Sequence, residues 1–326
     1  MAETIRRIGI LTSGGDAPGM NAAIRAAVRT CAQNGVTPIG IHRGYNGLIH
    51  SDVVEMDARS VNGITSKGGT ILYTARCEEF KTQEGQQKAL QVIKAFDISG
   101  VVVIGGDGSF QGAKVLSHLG VPTIGIPGTI DNDLAYTDFT IGFDTAVNGV
   151  VGEMSRIRDT MNSHERVGVI EVMGNKCGDI ALYAGIAGGA EHIIIPEVEF
   201  DIDYICDKII GNRIKGNMTS IVLIAEGAGK GEAVANYMRA KAKLDAKAIV
   251  LGYIQRGGTP SAADRLRATS MGMRAVQLLE KGIGNRVVGI RDNKIIDEDI
   301  DEALSKELIF RKDLYDEFKI MSENMQ

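Results

Sequence analysis

The chain has 326 residues, 44% of them apolar and 24% charged, which is the profile of a globular protein large enough for two domains. A net charge of −5 and only 5% aromatic residues, with no Trp, exclude the basic footprint and the base-stacking platform of a nucleic-acid binder. No apolar run nears the ~20 residues that a membrane-spanning helix requires, and the opening Met1-Ala-Glu-Thr-Ile-Arg-Arg7 carries no secretory core, so a cytoplasmic protein with no membrane partner is expected. Cys31, Cys77, Cys177 and Cys206 are widely spaced and read as reduced thiols. The five histidines show no metal-ligand spacing. The net charge does not attract a small anion, so such a substrate must be held by local Lys and Arg.

Apolar runs alternate with helical stretches from end to end. Ile5 to Leu11 reads as a strand, and Pro18 to Ala32 as a helix with Met20, Ala23, Ile24, Ala27, Val28 and Cys31 at helical spacing. Pro18 sits where a helix start tolerates a missing N–H. Val36 to Ile41, Gly100 to Ile104 and Pro122 to Ile126 read as strands, and Gly85 to Phe96 and Ser109 to Leu119 as helices. A long helix follows from Asp144 to Met161, then a strand at Val167 to Met173 and a helix at Gly178 to Ala187. His192 to Pro196 is a strand and Asp201 to Ile214 a helix; Ser220 to Ala225 and Ala248 to Tyr253 are strands on either side of a helix at Gly231 to Ala242. Pro260 to Leu279 is helical, a last strand lies near Arg286 to Ile290, and charged helical stretches end the chain. This βαβ succession predicts an α/β fold with mostly parallel sheets and helices on both faces. The Gly-containing turn after Phe139-Thr-Ile-Gly142 predicts a domain boundary.

Four strand ends carry glycine- and acid-rich loops. Thr12-Ser-Gly-Gly-Asp-Ala-Pro-Gly19 lets the backbone approach an anion in front of a helix N-terminus, although any tight βα turn could look the same. It is neither a Walker A loop nor a spaced G-x-G-x-x-G fingerprint. In Gly105-Gly-Asp-Gly-Ser109, Asp107 suits a Mg²⁺ bound to phosphate oxygens; the alternative is that Asp107 merely caps the next helix. In Pro127-Gly-Thr-Ile-Asp-Asn-Asp133, an extended segment would put Asp131 and Asp133 on one side, one carboxylate taking a proton while the other stays near a metal. An Asx-rich turn is the alternative. The fourth is Val172-Met-Gly-Asn-Lys-Cys-Gly-Asp179. Amides for phosphate and carboxylates for metal or proton, on one sheet, point to phosphoryl transfer. Arg76, Arg166 and Arg256 are dispersed cations, each more often a surface charge, while Arg25 and Arg29 share a helix face.

These segments, in this order and spacing from about Ile8 to Ile290, resemble the bacterial ATP-dependent 6-phosphofructokinase family. The resemblance implies two packed three-layer α/β/α domains: 1–142 plus about 255–305 as a larger ATP-binding domain, and 143–254 plus about 306–326 as a smaller sugar-phosphate domain. It also implies a homotetramer and transfer of the γ-phosphoryl of MgATP to O1 of fructose 6-phosphate. Carried over by position, it implies that Gly15, Tyr45, Arg76, Cys77, Asp107, Gly108, Ser109 and Gly112 form the ATP site, with Asp107 holding Mg²⁺. Thr129, Asp131 as base, Asp133 and Arg76 are the catalytic set. Met173, Gly174, Glu226, Lys247, Tyr253 and Arg256 serve the sugar phosphate, with Arg166 reaching it from a neighbouring subunit. Arg25, Arg29, Arg158 and Glu191 match a site for an ADP or phosphoenolpyruvate effector.

The chain departs from that pattern in places. Tyr253, Lys247 and Asn175 stand where His, Arg and Arg are common, which implies altered sugar-phosphate binding and room for another ketose phosphate. Ala58, Asn217 and Met218 replace effector-site cations, which implies blunted regulation. Glu78, Lys81 and Gln86 depart from common choices on the adenine side. Pyrophosphate-dependent relatives tend to carry Asp at the position of Gly108 and Lys at that of Gly128, so ATP is favoured. A non-catalytic nucleotide-binding regulator is the third reading; it predicts loss of Asp107, Asp131 or Asp133, and all are present.

Overall fold

The computed structural model describes residues 6–323, so Ile5, the expected start of the first strand, lies outside the described residues. Among the described residues twelve strands run in chain order: β1 (Arg7–Thr12), β2 (Thr37–Ile41), β3 (Val53–Glu55), β4 (Gly100–Gly105), β5 (Thr123–Thr129), β6 (Ile141–Gly142), β7 (Val167–Val172), β8 (His192–Ile194), β9 (Ser220–Ala225), β10 (Ala246–Val250), β11 (Arg286–Arg291) and β12 (Lys294–Asp299). The chain divides into two compact units. Unit 1 takes residues up to Ile130, Leu134–Thr145 and Arg256–Leu308; unit 2 takes Asp131–Asp133, Ala146–Gln255 and residues from Ile309 onward.

Unit 1 is built on a sheet of order β12-β11-β5-β4-β1-β2-β3, with β6 paired to β5. The central β1, β4 and β5 are parallel and buried on both faces, which is why they read as unbroken apolar runs. On one face Leu11, Val101, Val103 and Val287 join Val92, Phe110 and Ile300 in a single core. On the other, helices Met20–Gln33 and Ala262–Glu280 lie so close that a Cβ on Gly272 would sit 2.7 Å from the Ala23 carbonyl. The sheet's two rims are antiparallel. Asp292 and Asn293, both at positive φ (49° and 59°), make the two-residue turn of the β11–β12 hairpin. The charged sequence of β12 hid this strand behind an expectation of helix.

Unit 2 has the parallel order β10-β7-β9-β8. Val167, Val169, Val222 and Ile224 pack with Ile205, Ile209, Val234 and Met238 from helices Ile202–Ile214 and Gly231–Lys241. Asp201 caps the first of these helices through the amides of Asp203 and Tyr204. Among the described residues no helix is long and apolar enough to cross a membrane.

Three local expectations are corrected. Pro18 is not in the first helical turn: Gly19, at φ 110°, is the N-cap of Met20–Gln33, and its left-handed backbone separates the proline from the helix. The strand expected over Ala248 to Tyr253 is Ala246–Val250, and Tyr253 lies in a 3₁₀ turn, Gly252–Arg256. Asp131-Asn-Asp133 is not extended, because Asn132 takes φ 54°. Asn tolerates that region and can hydrogen-bond out of it, so residues two apart are not placed side by side by strand alternation.

His192 is largely buried, and its Nε2 sits in buried space with no hydrogen-bond partner. Burial, helped by Lys208, pulls its pKa down to about 4. The unfolded chain therefore takes the proton first, and stability falls as pH drops from about 6.5 towards 4, by on the order of 2–3 kcal/mol. Urea midpoints measured between pH 4 and 7 should show this acid limb, and His192→Leu should flatten it.

Candidate active site

In unit 1 the chain leaves β1 towards β2 on one side, while β4 and β5 extend the sheet on the other. The β1/β4 boundary is therefore a topological switch point, where open α/β sheets bind ligands outside the carboxyl ends of the strands. Both glycine loops of this unit emerge there. The Ser13 amide donates to the Ile104 carbonyl at 3.0 Å, joining the two turns. Gly105 has no room for a side chain: a Cβ would meet the Ser109 Oγ and lie 2.5 Å from the Ser13 carbonyl. Gly106 faces Thr129 at the end of β5, with 3.4 Å between its would-be Cβ and that of Thr129.

Asp107 opens helix Asp107–His118, but the N-cap is Gly106 and no side chain caps the helix. The capping alternative for Asp107 is thereby excluded. Its carboxylate is exposed and accepts only a long 3.4 Å bond from Gln111 Nε2. Uncapped amides at a helix start, beside a second amide-rich turn, are a ready anion site. Gly108 points a would-be Cβ into open space, so no packing within the protein requires glycine there.

A third segment closes on this site. Asn21 donates to the carbonyls of Lys67 and Gly68 and accepts from the Ile71 amide, and Thr74 Oγ1 donates to the Gly14 carbonyl at 2.6 Å. Arg76, exposed, follows two residues after this tether. Arg256 lies over Gly15, whose Cβ would sit 2.5 Å from the guanidinium, and donates to the Asp16 carbonyl at 3.3 Å. Tyr45 and Gly112 support the site from beneath. The buried Tyr45 ring fills the space beside Gly112, stacks on Phe80 at 4.3 Å, and donates its hydroxyl to the Ser109 carbonyl at 2.6 Å. Cys77 is half-buried against the core.

In unit 2, residues after β7 and β9 form a second group. The Glu226 amide donates to the Val172 carbonyl at 2.8 Å, and its carboxylate accepts the Asn175 amide at 3.2 Å. Gly174 has φ 140°, and the Met173 amide donates to Gln255 at 3.1 Å. Asp131 and Asp133 belong to this unit, half-buried on either side of buried Asn132. Arg166, just before β7, and Lys247, on β10, both pair with Asp245, at 2.6 and 2.9 Å. The Lys247 contact and then the Arg166 contact hold the Asp245 carboxyl below its usual range. Tyr253 is 84% exposed.

Of the effector candidates, Arg25 and Arg29 lie on one helix of unit 1, where Arg29 donates to Asn62 at 2.9 Å. In unit 2 Arg158 is engaged by Glu191 at 2.7 Å and by the Gly189 carbonyl.

The phosphofructokinase family model matches residues 7–279. The chain belongs to the phosphofructokinase family. It is 56% identical to an ATP-dependent 6-phosphofructokinase of Clostridium botulinum over 98% of this chain and the whole of the other. A solved phosphofructokinase of Saccharomyces cerevisiae is 33% identical with a TM-score of 0.89; the match covers 96% of this chain and half of that one. A pyrophosphate-dependent phosphofructokinase of Marinobacter aquaeolei (21% identity, TM-score 0.82, 94% of this chain and 86% of that one) shares the fold.

The family's phosphofructokinase-like α/β architecture is thus present, and the first two glycine loops meet in unit 1. Asn21, Thr74 and Asp245 have no signal in the sequence, because each acts through a partner more than 45 residues away or on another strand. Two glycine substitutions separate packing from ligand space. Gly105→Ala should lower the thermal midpoint by roughly 4 °C or more, since backbone must move, while Gly108→Ala should shift it by less than about 2 °C. Differential scanning fluorimetry of both variants checks this.

Proposed function

We propose that this chain transfers the γ-phosphoryl group of ATP to O1 of fructose 6-phosphate, giving fructose 1,6-bisphosphate and ADP in the cytoplasm. The observation that carries the reading is the uncapped helix start at Asp107-Gly108, open to a ligand and ringed by the Ser13–Asp16 turn, Thr129 and the Arg76 segment. The activity named for the Clostridium botulinum relative agrees with it.

In this mechanism Asp131 takes the proton of the sugar O1 hydroxyl as O1 bonds to the γ-phosphorus and the bond to the ADP oxygen breaks. The Gly15 amide and Arg76 carry the phosphate charge, Thr129 contacts the moving group, and Asp133 supports sugar and metal. Arg256 and Lys247 take the 6-phosphate, with Arg166 reaching it from a neighbouring subunit, while Met173, Gly174, Glu226 and Tyr253 border the sugar. Ser109, Gly108 and Gly112 line or underlie the nucleotide site, with Tyr45 and Cys77 behind them. A divalent ion, Mg²⁺ by this reading, supplies charge neutralisation of the phosphates. A single exposed carboxylate at Asp107 fits an ion that keeps its waters and arrives with the nucleotide. The lack of any cluster of three His, Cys, Asp or Glu among the described residues suits the same mode.

Pyrophosphate as donor is disfavoured by Gly108 and Gly128. A side chain at 108 would enter the open space proposed for ATP, and one at 128 would begin 3.0 Å from Ile104 and 3.2 Å from Met20. The domain roles follow the unit division, unit 1 for ATP and most of unit 2 for the sugar phosphate. We also assign a homotetramer with ADP or phosphoenolpyruvate as effector at Arg25, Arg29, Arg158 and Glu191. Ala58, Asn217 and Met218 bring no charge to that site, and Glu191 already engages Arg158, so the regulation is weak. A hydrogen bond to a charged group is worth roughly 1.5–3 kcal/mol, and an effector here forgoes several.

A coupled ADP-release assay with fructose 6-phosphate should show turnover with ATP and none with pyrophosphate. Asp131→Ala should lower kcat by roughly 10²–10⁴-fold, the usual size of general-base catalysis; near-normal turnover would reject that role. Gly108→Asp should raise the KM for ATP by about tenfold or more, since a repelled phosphate costs over ~1.4 kcal/mol.

A further inference from the structure

Between the two carboxylates of the proposed catalytic turn stands Asn132, and its conformation sets the course of the chain through both. It is left-handed, at φ 54°, and only 6% exposed. Such a backbone is uncommon outside glycine and persists where the surroundings hold it. One hold is explicit: Asn132 Nδ2 donates to Asp179 Oδ2 at 2.8 Å.

Asp179 is itself braced. It opens helix Asp179–Ala187, and Gly178 before it donates its amide to Glu197 Oε1 at 2.7 Å. The Cys177 amide donates to the Gly174 carbonyl at 2.8 Å, which folds the loop just ahead of Asp179. Burial pushes the Cys177 thiol up, so it stays protonated and adds no charge beside Asp179. Burial, with the like charge of Glu197 adding to it, also raises the Asp179 carboxyl, against the opposing pull of the Asn132 bond. An acid placed only to suit the helix dipole gains its stabilisation at the surface and has no need of this enclosure.

We propose that Asp179 is a positioning residue for phosphoryl transfer: by accepting from Asn132 it locks the left-handed turn that aims Asp131 and Asp133. This deepens the reading of Asp131 as general base and rests on it. The side chain needs to be an acceptor at Oδ2, and its charge is incidental.

The test is a set of steady-state kinetics on full-length enzyme, with thermal midpoints in parallel. Asp179→Ala should lower kcat about 10- to 100-fold, the scale of displacing a reacting group by an ångström, while the KM for ATP stays within about twofold. Asp179→Asn, whose amide oxygen accepts the same bond, should keep kcat within about threefold. Asn132→Gly keeps access to positive φ but loses the amide and should lose kcat as Asp179→Ala does, and the double variant should be no slower than the slower single one. Wild-type kcat in Asp179→Ala, an Asp179→Asn enzyme as slow as Asp179→Ala, or losses that multiply in the double variant would each overturn the proposal. If Asp179→Ala does not fold, full kcat in Asn132→Gly overturns it and a loss there supports it. An active Asp131→Ala enzyme would instead remove the general-base reading, whichever way the Asp179 variants behave.

Discussion

The hydrogen bond from the Ser13 amide to the Ile104 carbonyl is small, but it marks the constraint on which unit 1 depends. Two parallel strands whose crossovers run in opposite directions must release their turns side by side at their carboxyl ends. Nothing else in the sheet has that property. Glycine at 105 then follows from the closeness of the turns, because Ser109 and the Ser13 carbonyl already occupy the volume of a side chain. The helix that follows starts after Gly106 with no side-chain cap. The opening at these strand ends is therefore a by-product of topology, and Asn21 and Thr74 tether the segment leading to Arg76 beside it.

Unit 2 meets a different constraint, that of fixing the turn that carries Asp131 and Asp133. Asp131 and Asp133 cannot rely on strand alternation once Asn132 turns left-handed. The chain instead uses a short helix whose first residue is a half-buried acid, held in place by Glu197 through the Gly178 amide. Burying Asp179 is costly unless its oxygens are engaged, and this cost ties the helix start to the turn. A rigid brace of this kind suits a reaction in which the protein contributes mainly positioning and electrostatics.

Most of the architecture is legible in the sequence because it is α/β. Buried parallel strands are apolar without interruption, as in Val101-Val-Val-Ile104, and the helices between them carry a clear 3.6-residue period. The glycine loops are legible for the same reason, since they sit where a strand stops. Features set by side chains rather than by periodicity are not. The charges of β12 obscure the hairpin at Asp292-Asn293, and a proline two residues before a helix looks like its first turn. Asp179 closes the fourth glycine loop, yet its role has no sequence signal, because its partner Asn132 is 47 residues away and reads only as a spacer between two acids.

The handling of anions by an acidic chain follows from the same local logic. A net charge of −5 gives no long-range attraction, so cations must be concentrated where they act. Arg166 and Lys247 would repel each other, yet Asp245 lies between them and binds both. The arrangement fixes two positive groups at a short separation while cancelling one unit of charge. Both side chains are thereby ordered, so little of their conformational entropy remains to be lost in any later contact. Arg256 is held by a different device, resting on Gly15 and the Asp16 carbonyl, which leaves its charge uncancelled because the group that holds it is neutral backbone. The two devices differ in kind: a neighbouring acid fixes Lys247, whereas the planar fork of Arg256 lies against a bare glycine turn.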